Sequence, residues 1–152
     1  MIRPNPDKQM LSELPTEIYD KIRELSARGD GLARSKLFVA ALQNYEEAWD
    51  LLPEPKTNWN ASTWLLTAIG DVHFFRGSFD KTVEVLTNAI LNTPGALGNP
   101  FLHLRRGQSL LELGRKDEAA DELMRAYMGA GSDIFKSEDA KYLEFLKTRA
   151  QL

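Results

Sequence analysis

Three glycines, Gly29, Gly70 and Gly107, stand at one place in three copies of a helix-turn-helix pattern, and this recurrence restricts the fold more than any other feature. Gly29-Asp30 returns 41 residues later as Gly70-Asp71, and that pair returns 37 residues later as Gly107-Gln108. At the same offsets Ala41, Thr82 and Ala119 coincide, as do Ala48, Ala89 and Ala126, with bulky Tyr45, Leu86 and Leu123 between them. A glycine inside the first helix of a hairpin lets the second helix come close, and alanines on the second admit large side chains from the next hairpin. One hairpin cannot bury its apolar face alone, so about three copies must stack.

Taken in order, the chain reads as all-α with about seven helices. Residues 1–14 form a loose lead-in, and Pro15 suits the first position of a helix. Ile18, Ile22 and Leu25 make one apolar stripe, which Gly29 and Gly31 weaken without ending. Residues 37–52 carry the next stripe, through Phe38, Ala41, Leu42, Tyr45, Ala48, Trp49 and Leu52, and Pro53-Glu54-Pro55 stops it. After a polar loop holding Trp59, Ser62 or Thr63 can cap a helix over 64–76. Gly77 turns the chain into a returning helix over 79–92. A third hairpin spans 101–113, a turn at Gly114, and 117–128. Ser137 is placed to cap a last helix bearing Tyr142, Phe145, Leu146 and Arg149 on one face. The three copies therefore occupy about 15–55, 63–96 and 100–131, followed by a C-terminal helical segment over 132–152.

This pattern resembles the tetratricopeptide repeat, a helical hairpin unit. The first copy matches at Leu25, Gly29, Leu32, Phe38, Ala41, Tyr45, Ala48 and Pro53. The second matches at Leu66, Ile69, Gly70, Gly77, Phe79, Leu86, Ala89 and Pro94, and the third at Gly107, Leu110, Gly114, Ala119, Leu123 and Ala126. The resemblance implies a right-handed superhelical stack of three hairpins closed by a capping helix. The chain departs from the family at Arg28 and Arg106, where an aliphatic residue is usual, and at Lys36, which replaces the turn glycine. Its two inter-repeat loops are also longer.

Composition narrows the function classes. The 152 residues carry a net charge of −3, so no global basic field draws the chain to nucleic acid or to an anionic membrane. Without cysteine, disulfides, thiolate metal sites and thiol nucleophiles are excluded. Met1 to Lys8 lacks the apolar run of a secretion signal, and no segment approaches the ~20 apolar residues that span a bilayer. The expected location is cytoplasmic. Asn60-Ala61-Ser62 matches a glycosylation acceptor by chance on that reading. His73 and His103 are the only histidines, lack a ligand set, and fall on packing positions. No nucleophile elbow, phosphate-binding loop or HExxH pattern occurs. The chain reads as a non-enzyme without cofactor or metal, and its oligomeric state is left open.

The resemblance also implies a concave groove lined by the first helix of each hairpin. Arg23, Ser26, Asp30 and Arg34 would line it from the first copy. Trp64, Thr67, Asp71, Phe74 and Phe75 would come from the second, and Phe101, Leu104, Gln108 and Leu111 from the third. Members that hold an acidic peptide terminus use a clamp of Lys, Asn and Arg, and at the positions of its Asn and terminal basic residue this chain has Asp30, Asp71 and Gln108. An Asp there would repel such a tail and favour a protein or peptide partner offering basic or amide groups, with Trp64, Phe74 and Phe101 as apolar anchors. Trp59, in its loop, either folds back onto the stack or meets a partner. Residues 98–108 and 121–128 look like those of stand-alone bacterial members, some of which are immunity proteins that neutralise a toxin. That role is the expectation, with a secretion chaperone or a general adaptor or scaffold as alternatives.

Overall fold

The computed structural model describes residues 14–152, and within them the backbone is helical with no strand. The helices are α1 (Thr16–Arg34), α2 (Phe38–Asp50), α3 (Asn60–Phe75), α4 (Phe79–Asn92), α5 (Pro100–Glu112), α6 (Lys116–Ala130) and α7 (Ala140–Lys147). Short 3-10 turns occupy Lys56–Asn58 and Ser132–Phe135. α1 pairs with α2, α3 with α4, and α5 with α6, and each pair packs on the next. Of the expected lead-in, only Leu14 lies among the described residues, where it packs against the first core cluster.

The repeat glycines act as the spacing predicts. A Cβ built on Gly29 would stand 2.5 Å from the Tyr45 ring; on Gly70, 2.7 Å from Leu86; on Gly107, 2.9 Å from Leu123. Each contact joins the first helix of a hairpin to the second at the matched position. The turns superpose as well. Lys36, Gly77 and Gly114 take left-handed φ of 62°, 76° and 78°. In each turn the next residue donates back across the helix end, from Leu37 to Leu32 O, Ser78 to His73 O and Arg115 to Leu110 O, all at 2.9 Å. This is a Schellman closure, which satisfies carbonyls that a helix end leaves open.

Several boundaries differ from expectation. α1 is not among them, since it runs through Gly29 and Gly31 as the resumed stripe predicts. α3 begins at Asn60 rather than Trp64, and neither Ser62 nor Thr63 caps it. Ser62 Oγ donates to Lys56 O, and Thr63 Oγ1 donates to Pro94 O at 2.7 Å, so both hydroxyls tie loops to the stack instead. The Trp59 ring is buried in the first core cluster, and its indole N–H donates to Pro53 O at 2.9 Å. That contact draws the loop onto the stack ahead of α3. The cap of α7 is Asp139, which accepts from Lys141 N, not Ser137. The intervening Glu138 turns inward to α5, which delays the helix start.

α7 closes the stack by covering the exposed end of the third hairpin. Tyr142 and Leu146 join Leu104, Leu123 and Ala126 in one buried cluster. Tyr142 Oη donates to Glu112 Oε1 at 2.8 Å.

Candidate partner-binding groove

Because α1 and α3 each present the first-helix face of a hairpin, the trough between them is where the fold leaves room. Two cavities lie there, and a third adjoins them between α3 and Asn99, the cap of α5. The first, about 460 Å³, sits towards the turn end of α1 and has walls from Ala33, Phe38, Ala68, Val72 and Phe75, with Tyr45 also lining it. A second lies against Tyr19, Arg23, Ser26 and Trp64, and a third against Thr63, Thr67 and Asn99. Asp30 borders the first and second, Trp64 the second and third, and Ala68 and Asp71 the first and third. Shared borders make the three one continuous groove.

The groove does not extend onto α5, for a reason visible in the register. Ala27 and Ala68 recur at the repeat offsets as Arg105. Its side chain, only 5% exposed, fills the space that alanine leaves open in the other copies. Nε donates to Asp71 Oδ1 at 2.6 Å, while Nη1 donates to Gln108 Oε1 at 2.8 Å and to Glu138 Oε2 at 3.1 Å. The guanidinium carbon lies 4.3 Å from the Phe74 ring centroid, 5.0 Å from Phe101 and 5.2 Å from Phe75, within cation–π range of all three. Sequence reasoning missed Arg105. An arginine standing where two repeats carry alanine was the signal.

This plug alters the standing of several predicted groove residues. Gln108 is fully buried and its amide is committed, donating through Nε2 to Glu138 Oε2 at 3.1 Å, so it is not open to a partner. Phe74 and Phe101 are half-buried against Arg105. Trp59 is buried in the core away from the groove rather than displayed on a loop. Arg23, Arg34, Trp64 and Phe75 do line the groove, with Phe75 59% exposed on its rim.

The two aspartates are both engaged. Asp30 Oδ1 accepts from Tyr45 Oη at 2.6 Å, and burial together with that bond raises the Tyr45 hydroxyl pKa. Asp71 holds Arg105, yet burial outweighs the pull of the guanidinium and leaves its carboxyl pKa raised. Arg23, Arg34 and Lys36, by contrast, form no ion pair among the described residues. Asp30 keeps its charge, because the tyrosine hydroxyl it accepts from is neutral, so the groove holds one carboxylate and three cations outside any ion pair among the described residues.

The histidines divide. His103 is buried with Nδ1 2.7 Å from Glu122 Oε2 and Nε2 2.6 Å from Leu97 O, a structural tie between the inter-repeat loop, α5 and α6. His73 is half-buried rather than core, and its Nδ1 has no partner. Burial, then Lys81 and Arg76, lowers its pKa. Among the described residues no group of three or more His, Cys, Asp or Glu is placed to hold a metal, and no helix is long and apolar enough to cross a membrane.

No family model and no curated protein sequence matches this chain. Solved structures do match it in shape. The tetratricopeptide domain of Arabidopsis OM64 is 19% identical with a TM-score of 0.64, covering 86% of this chain and 95% of its own. The first tetratricopeptide domain of Spaghetti (RPAP3), bound to the HSP90 peptide SRMEEVD, is 16% identical with a TM-score of 0.64, covering 85% and 92%. The Yersinia enterocolitica type III secretion chaperone SycD, in complex with a peptide of the translocator YopD, is 15% identical with a TM-score of 0.67, also covering 85% and 92%. Identities this low speak to fold alone, and the fold is that of the tetratricopeptide repeat, three hairpins and a closing C-terminal helix.

Proposed function

We infer that the protein is a non-enzymatic interaction module that holds an extended segment of a protein partner between its first two hairpins. The observation that carries this is the continuity of the α1–α3 groove through Asp30, Trp64, Ala68 and Asp71. Support comes from two neighbours of the same fold, one solved with an HSP90 peptide and one with a YopD peptide. A groove open along only two hairpins suits a short extended strand of chain better than a folded domain. Among the finer roles, that favours a secretion chaperone or adaptor over a toxin-neutralising immunity protein, which rests on the likeness of residues 98–108 and 121–128 to stand-alone bacterial members together with size and charge.

Selection of short displayed peptides on the full-length protein tests the reading. Selected binders should be lost by Trp64→Ala and by Ala68→Glu, and kept by Leu91→Asp, which lies on α4 outside the groove. Capture by Ala68→Glu undiminished from wild type would place binding elsewhere.

A further inference from the structure

The turn end of the groove carries more chemical information than the rest of it. Its cavity is walled by Ala33, Phe38, Ala68, Val72 and Phe75, side chains that offer no hydrogen bond. Four charged groups stand around it: Asp30, Asp71, Arg34 and Lys36. Asp71 is paired with Arg105 and Asp30 accepts from Tyr45 Oη while keeping its charge, and both cations lack a carboxylate among the described residues. Lys36 adds an independent observation. It occupies the left-handed turn position that the other two copies give to Gly77 and Gly114, at φ 62°. Lysine is strained there in a way glycine is not, and strain of this kind persists where the side chain has work at that place.

We propose that this cavity takes a bulky apolar side chain of the partner segment, and that an acidic residue next to it in the partner pairs with Arg34 and Lys36. The proposal rests on the groove reading above and adds the partner's chemistry to it. The apolar walls supply burial area and the two cations supply orientation, because an acid on the wrong side of the anchor would face Asp30 instead. The site lies at the turn end of the first hairpin, bordered by Asp30 and Asp71 and away from Gln108.

Display selection of short peptides with amidated C-termini, on the full-length protein, reads this chemistry directly. Enriched sequences are expected to pair Leu, Ile, Met or Phe with Asp or Glu within two residues. Exchanging that acid for Lys in a synthetic copy should weaken binding at least about tenfold in Kd by fluorescence anisotropy. Selection on Arg34→Glu/Lys36→Glu should replace the acids with Lys or Arg. Both side chains are exposed, so this variant keeps its fold, and circular dichroism checks that it has. Peptides enriched in apolar and basic residues on the wild type would overturn the proposal while leaving the groove reading intact. A pool captured equally by Phe75→Asp and wild type would remove the groove reading as well, and an empty selection would end both. Sedimentation as a dimer that Phe75→Asp dissociates would make a second copy the occupant and overturn the proposal.

Discussion

Arg105 Nε donates to Asp71 Oδ1 at 2.6 Å, tying the first helix of the third hairpin to the first helix of the second. Through Glu138 the same guanidinium also reaches the segment that leads into α7. One side chain therefore links two repeats and the closing helix, and sets where the groove ends.

Arg105→Met should destabilise the protein by about 2–3 kcal/mol. A fully buried pair broken on one side costs ~3–5 kcal/mol, and the figure is lower here because Asp71 keeps part of its side chain in solvent. Urea unfolding followed by circular dichroism measures the change. Arg105→Met/Asp71→Leu should recover part of it, since Asp71 is then no longer a half-buried charge without a partner, while Glu138 loses its cation and keeps Gln108 Nε2. A double variant no more stable than the single would show that the loss comes from Arg105 packing on Phe74 and Phe101 instead.

Gly107→Ala and Gly70→Ala should differ although the repeat makes them equivalent. A Cβ at Gly70 would meet Leu86 Cδ2 at 2.7 Å and Cγ at 2.9 Å, contacts with side-chain atoms alone, which can shift without moving the backbone of α4. At Gly107 it would also stand 3.0 Å from the Leu123 backbone nitrogen, which cannot move without shifting α6. Overpacking costs ~1–3 kcal/mol, offset by about 1 kcal/mol of helix propensity gained over glycine. Gly70→Ala should thus come out near neutral and Gly107→Ala destabilised by about 1–2 kcal/mol, a ranking that thermal or urea denaturation decides.

Those glycines also show what was legible in the sequence and what was not. Gly29, Gly70 and Gly107 with Tyr45, Leu86 and Leu123 are short-range regularities, so the hairpins and their stacking follow from spacing. The N-caps of α3 and α7 did not, because Ser62, Thr63 and Glu138 bond to parts of the chain that periodicity does not bring together. The partners of the two groove aspartates were hidden for a related cause. Asp30 and Asp71 look free in the sequence, but their partners Tyr45 and Arg105 lie 15 and 34 residues away. His103 and Arg106, standing where Leu66 and Ile69 stand in the second copy, form a polar tie with Glu122 that no apolar stripe announces.

His73 gives the protein a pH dependence of definite sign. Burial, with Lys81 and Arg76 nearby, lowers its pKa below the usual 6.5 in the folded state. The unfolded chain therefore takes up a proton at a pH where the folded one does not, so stability is lost as pH falls through about 6.5. His73→Phe removes that titration. Comparing urea midpoints of wild type and variant across the range from neutral to mildly acidic pH, the wild type should fall more steeply. Parallel curves would mean that His73 protonates alike in both states.

Lys36→Gly should raise stability and lower affinity together. A non-glycine residue in the left-handed region costs about 1–2 kcal/mol, and glycine there relieves it while giving the unfolded chain about 0.5–1 kcal/mol of extra entropy. The net gain is about 0.5–1 kcal/mol, readable as a higher urea midpoint. Lys36→Ala, which removes the same charge and stays strained, should show no such gain. Both variants should bind an acidic, apolar peptide more weakly than the wild type. A Lys36→Gly protein that is more stable and binds as well as wild type would leave the lysine without a function to set against its strain.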